Sequence, residues 1–171
     1  MGTTRKSVMT AVVALVAVAA GTVGVAVAAE KVRANDWLTD LRGAADGTEE
    51  ARAHVVAAAD GEGSTDVSLQ LEGLDHLRVG HTYGAHVHIG TCEEGNGAAA
   101  LGHYNHGGAA SPTTEVWLDF EVQEGGVARS STTVPFVIAQ GAAHSVVVHE
   151  QATNPGTGAA GARVACIPVE F

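Results

Sequence analysis

Beyond residue 51 the chain alternates between apolar and polar positions with a period of two. Val67, Leu69 and Leu71 alternate with Ser68, Gln70 and Glu72, which is the pattern of a half-buried strand. Val116, Leu118, Phe120 and Val122 alternate in the same way with Glu115, Trp117, Asp119 and Glu121. Further strands are expected at 51–59, 127–136, 144–150 and 162–170. Asp60-Gly61-Glu62-Gly63 is a hairpin turn between 51–59 and 65–72, and Gly125-Gly126 is another turn. Helical periodicity is almost missing. About eight short antiparallel strands predict an all-β fold, a Greek-key β-sandwich or flattened barrel of immunoglobulin-like architecture. A single domain over 51–171, without internal repeats, accounts for the pattern.

The start of the chain is different. Arg5 and Lys6 precede an Ala/Val run from about Val8 to Ala29, and Ala26, Ala28 and Ala29 offer a small-residue cleavage site. Residues 1–29 therefore read as a secretory signal peptide, with an uncleaved membrane anchor as the alternative. Residues 30–50 are polar and charged, with Trp37, Leu38 and Leu41 as the bulky apolar groups. They predict a polar spacer, in which Asn35 could cap a short helix.

Charge and cysteines narrow the setting. The chain carries 9 basic and 19 acidic residues. Without Arg5 and Lys6 the balance is 7 against 19, a net charge of −12. Such a chain is unsuited to nucleic acid and suited to life as a soluble exported protein. Membrane association is expected only through the N-terminal segment. Two cysteines, Cys92 and Cys166, suit an oxidising compartment, where an even count invites one disulfide; two buried thiols are the alternative.

The candidate chemistry lies in histidines. In Gly84-Ala85-His86-Val87-His88 the two imidazoles share one strand face, while Ala85, Val87 and Ile89 project to the other. Gly102-His103-Tyr104-Asn105 and Val147-Val148-His149-Glu150 supply two more. Imidazoles without carboxylates favour copper or zinc over calcium or magnesium.

These motifs, in this order, resemble those of the copper/zinc superoxide dismutase family. The segment with His86 and His88 is similar to the family's G-F-H-V-H strand, His103 lies in a counterpart of G-P-H-F, and His149 in V-V-H-E. Gly158-Ala159-Ala160-Gly161-Ala162-Arg163-Val164-Ala165-Cys166 resembles G-N-A-G-x-R-x-A-C. The resemblance implies copper ligation by His86, His88, His103 and His149, superoxide as the substrate, and an anion-capturing Arg163. It also implies that His103 is released and protonated on copper reduction, and that Cys92 and Cys166 form the disulfide.

Departures from the family bear on zinc. The loop from Asn105 to Thr114 holds only His106 where the family supplies further histidines and an aspartate. Thr153 stands where the family has an aspartate bonded to ligands of both metals. His106 and Asp119 could join His103 at a second metal, or His106 could be a solvated loop side chain. His54, His76, His81 and His144 have no partner spacing. The expectation is therefore a copper-only superoxide dismutase of the cell envelope or exterior, with the zinc site lost. A copper-buffering protein of the same fold, with little turnover, is the alternative, and Arg163 separates the two because storage needs no anion-binding group. What would orient His103 without zinc is not evident from the sequence.

Overall fold

The computed structural model describes residues 31–171. The expected signal peptide, 1–29, lies outside the described residues. Among the described residues nine strands form two antiparallel sheets. The first contains β1 (Lys31–Trp37), β3 (Arg52–Ala59), β4 (Thr65–Glu72) and β7 (Ala128–Val134), in the spatial order β1-β3-β4-β7. The second contains β2 (Thr39–Asp40), β5 (Thr82–His88), β6 (Phe120–Glu121), β8 (Ser145–His149) and β9 (Arg163–Pro168), in the order β2-β9-β8-β5-β6.

The alternation in the sequence decides the packing. Val67, Leu69 and Leu71 of β4 point into one apolar core with Val55 of β3, Val87 of β5 and Val148 of β8. Each is at most 3 % exposed. The β3–β4 hairpin closes where expected: the Asp60 carboxylate accepts from the Glu62 and Ser64 amides at 2.7 and 3.0 Å, which fixes the turn locally.

Two expectations are corrected. Residues 31–37 are a strand of the first sheet and no spacer: Trp37 pairs with Arg52 and Lys31 with Ala58, with Asn35 mid-strand opposite His54 and capping no helix. The polar exterior of β1 hides an inner face of Val32 and Ala34 packed on the core. Leu38 and Leu41 are buried too, so the folded unit begins before residue 51. The stretch 114–122 keeps its alternation, with Val116, Leu118, Phe120 and Val122 all buried. Only Phe120 and Glu121 pair as a regular strand, and the preceding residues make isolated bridges, Trp117 to His86 of β5 and Glu115 to Asn105 of the preceding loop.

A disulfide joins Cys92 to Cys166 across a separation of 74 residues. With Leu41, Ala100 and Val147 it forms a second, smaller apolar cluster outside the main core. It ties the loop after β5 to β9.

Candidate functional site

Strand register brings the histidines together. In β5 the side chains of Ala85 and Val87 enter the core, and both are fully buried. His86 and His88 occupy the opposite face. Ile89, expected to follow Ala85 and Val87 inward, lies past the strand end and is 41 % exposed. β8 pairs with β5 so that Gly84 faces His149 and His86 faces Val147, and paired residues project to the same side. Gly84 is needed here: a Cβ at this position would stand 2.6 Å from the Ala160 Cβ and 2.8 Å from the Gln151 carbonyl. His103 arrives from the loop after β5 and bridges to His88. The four rings offer nitrogen atoms that all lie within 4.8 Å of one another.

In each ring one nitrogen is tied down and the other is left to the centre. The His86 Nε2 contacts the Thr153 hydroxyl at 2.6 Å. That hydroxyl donates to the Asp119 carboxylate at 2.6 Å, so its lone pair must receive the proton of His86 Nε2. The His86 Nδ1 is then the free nitrogen, and it is buried without a hydrogen-bond partner. His88 Nδ1 lies 3.3 Å from the Ala100 carbonyl, and His149 Nδ1 3.3 Å from the Gly161 carbonyl. Their Nε2 atoms are 3.2 Å apart, and with both Nδ1 atoms acting as donors the two lone pairs meet with no proton between them. His103 Nδ1 donates to Glu115 at 2.8 Å. An inward Nδ1 and three inward Nε2 atoms thus converge in a pocket that no internal hydrogen bond satisfies.

Electrostatics agree with this geometry. Burial, reinforced by the neighbouring imidazoles, pushes His86 down to about 2 and His88 to about 3. Burial likewise takes His149 to about 4. All three are neutral at pH 7, as ligand nitrogens must be.

The residue that orients His103 is Glu115, which is 5 % exposed. Its carboxylate accepts from His103, from Asn105 Nδ2 at 3.0 Å and from Trp117 Nε1 at 2.8 Å. Burial raises its carboxyl, but the bonds from Trp117, His103 and Asn105 outweigh this and hold it below the usual range. Glu115 and Trp117 belong to the polar side of the alternating stretch 115–121. The sequence showed that side as solvent-facing; the signal available was an acid beside a tryptophan on a strand next in order to His103.

Arg163 lies on β9 opposite His149, where the register skips one residue between Val148 and His149. Such a bulge re-aims side chains. Its guanidinium donates to the Gly97 carbonyl at 2.6 Å and to the Leu101 carbonyl, both in the loop that the disulfide ties to β9. Leu101 takes a positive φ of 55°, a backbone form that costs a non-glycine residue of order 1–3 kcal/mol.

A family model for copper/zinc superoxide dismutases (SODC) matches residues 50–168. The chain belongs to that family. No curated protein sequence matches it. Among solved structures it is similar to the clock protein EA4, with a TM-score of 0.61 and 20 % identity over 87 % of this chain and 99 % of that one. A double mutant of a superoxide dismutase-like protein from Bacillus subtilis gives 0.55 and 22 %, over 84 % and 99 %. A mutant of superoxide dismutase 5 from Candida albicans gives 0.50 and 15 %, over 84 % and 90 %. These structures share the fold.

Against the family's metals, the four-imidazole pocket fits copper: the donors are all nitrogen, neutral and pre-oriented, and one buried nitrogen is orphaned. The other two candidates do not join it. The His106 ring is stacked on Phe136, with centroids 4.6 Å apart. Asp119 stands behind His86 and bonds the Thr153 amide at 2.7 Å as well as its hydroxyl. Among the described residues no other group of histidine, cysteine or carboxylate side chains converges for a metal.

Proposed function

We propose that this chain is a copper-dependent superoxide dismutase working outside the cytoplasm, with a single metal held by His86, His88, His103 and His149. The observation that carries the proposal is the set of four inward lone pairs next to a fixed guanidinium. Copper, when bound, supplies a centre that exchanges single electrons with superoxide. The protein does the rest. Arg163, immobilised by two backbone carbonyls, presents charge and aligned donors to a diatomic anion. His103 donates its Nδ1–H to Glu115, which fixes the ring so that its Nε2 faces the centre and can pass a proton to the departing peroxide. Glu115 thereby takes the orienting place a zinc ion would fill. A disulfide and a signal-like N-terminal run support export.

The test is superoxide removal by the mature chain loaded with copper alone. Activity without added zinc is expected. Arg163→Ala should lower the rate about tenfold, the loss of roughly 1.4 kcal/mol of anion stabilisation, while copper binding stays intact. Tight copper binding with no turnover in the parent chain would support the copper-buffering alternative instead. Thr153→Val should weaken copper binding about tenfold by freeing the His86 ring, and Thr153→Ser should restore it. Competition with a chelator of known affinity checks both; equal affinity in the valine variant would remove Thr153 from the site.

A further inference from the structure

The outer face of the β1-β3-β4-β7 sheet carries charges that the copper chemistry leaves unexplained. Seven Lys and Arg residues lie between 31 and 171, against 18 acids. Four of the seven, Lys31, Arg33, Arg52 and Arg129, project from this one face, as the register of the three strand pairs fixes. Asp66 and Glu72 are the strand acids on the same side. Lys31, Arg33 and Arg129 are exposed, and among the described residues none of the four basic groups is in an ion pair. The imidazole pocket sits on the other sheet, so these cations do not steer a small anion toward it.

What lies between the cations has a definite chemistry. A shallow depression of about 330 Å³ is lined by Val56, Ala58, Ser68, Ser131 and Thr133 together with Asp66, whose carboxylate accepts from the Thr133 hydroxyl at 2.6 Å and so is partly neutralised as an acceptor. Across the sheet, Asn35, His54, Gln70 and Arg129 form one row of side chains. In the neighbouring row Arg33 stands beside Val56. The face is four strands wide, about 14 Å between its outer strands. It therefore combines small apolar ground, hydroxyls, amides and cations at the rim.

We propose that this face docks a linear acidic polysaccharide, a polymer of uronic-acid type. A sugar ring has apolar C–H faces for Val56 and Ala58, hydroxyls for the Ser, Thr, Asn and Gln groups, and a carboxylate for the rim cations. A nucleic acid is a poorer fit, because duplex DNA carries one charge per about 1.7 Å and meets a chain of pI about 5.2 with a far denser negative field than a polymer with one carboxylate per sugar. A lipid surface asks for large apolar side chains to insert, and Trp37, with the Arg52 guanidinium 5.2 Å from its ring centroid, is the exposed large apolar group of this face. The acidic remainder of the surface repels a polyanion and leaves this face as the one orientation for binding. Docked so, the protein would hold its imidazole pocket away from the polymer.

The experiment is affinity electrophoresis of the full chain through gels containing polygalacturonate, fully methyl-esterified polygalacturonate, or duplex DNA. Retardation by polygalacturonate alone, abolished by salt, is expected. Arg33→Gln with Arg129→Gln should weaken it about tenfold, whereas Arg42→Gln with Arg78→Gln, off the face, should change it less than twofold. No retardation by polygalacturonate at low salt would overturn the proposal. So would equal retardation by DNA, or equal losses in the two double variants. Superoxide removal does not enter the readout, so this proposal stands or falls apart from the catalytic one.

Discussion

Replacing Glu115 with alanine is expected to be the most damaging single change at the site. It leaves the Nδ1–H of His103, the amide of Asn105 and the indole N–H of Trp117 without their shared acceptor. Three donors lose a charged partner that is almost wholly buried, which should cost about 3 kcal/mol of folding free energy. The second consequence concerns the metal. With its outer nitrogen free, the His103 ring can rotate or change tautomer, and copper affinity should fall between about 10- and 100-fold. Glu115→Gln retains the shape and one acceptor, so it should fold nearly as well while still weakening copper. Denaturant melts with and without copper, run on both variants, separate the two effects. An alanine variant with parent-like stability and copper affinity would show that Glu115 does not organise His103.

Acid should destabilise the copper-free chain far above the pH at which carboxylates titrate. His86, His88 and His149 are held at about 2, 3 and 4 in the folded state, chiefly by burial, against 6.5 for an ordinary histidine. The unfolded chain therefore binds protons that the folded chain refuses. That stability is present above about pH 6.5 and is lost progressively as pH falls from there, the loss ending near 4 for His149, 3 for His88 and 2 for His86. With three such groups the loss between pH 6 and pH 5 amounts to roughly 3 kcal/mol. The lowered carboxyl of Glu115 adds to the loss only once pH falls into the ordinary carboxylate range and below. Urea melts of chelator-treated protein at the two pH values check this. Bound copper should postpone the loss, since metal and proton compete for the same lone pairs. Identical copper-free midpoints at pH 6 and pH 5 would show that the rings are not held neutral by the fold.

Much of this is legible in the amino-acid sequence. Period-two alternation places Val67, Leu69 and Leu71 inside and sets His86 and His88 on one face, because side chains along a strand can only alternate. The Asp60-Gly61-Glu62-Gly63 turn is likewise local chemistry. β1 is hidden in the sequence because an edge strand with Lys31, Arg33 and Asn35 on its outer face buries only small residues inward. Val32 and Ala34 give too little apolar signal to separate it from a spacer.

The composition of the site divides along the same line. Strand alternation determined which residues share a face, since it depends only on neighbours in sequence. Which face meets which was decided in three dimensions. The polar side of 115–121 had the period of a solvated strand, yet it turns Glu115 toward His103, bonds Trp117 to the same carboxylate and sets Asp119 behind Thr153. Those contacts join segments 12 and 34 residues apart, and no local rule links them. The sequence by itself determined the strands from β3 onward in outline, the four imidazoles, and the shared face of His86 and His88. The tertiary structure decided which nitrogen of each ring is tied and which is free, because only packing brings a distant carboxylate, hydroxyl or carbonyl to a ring.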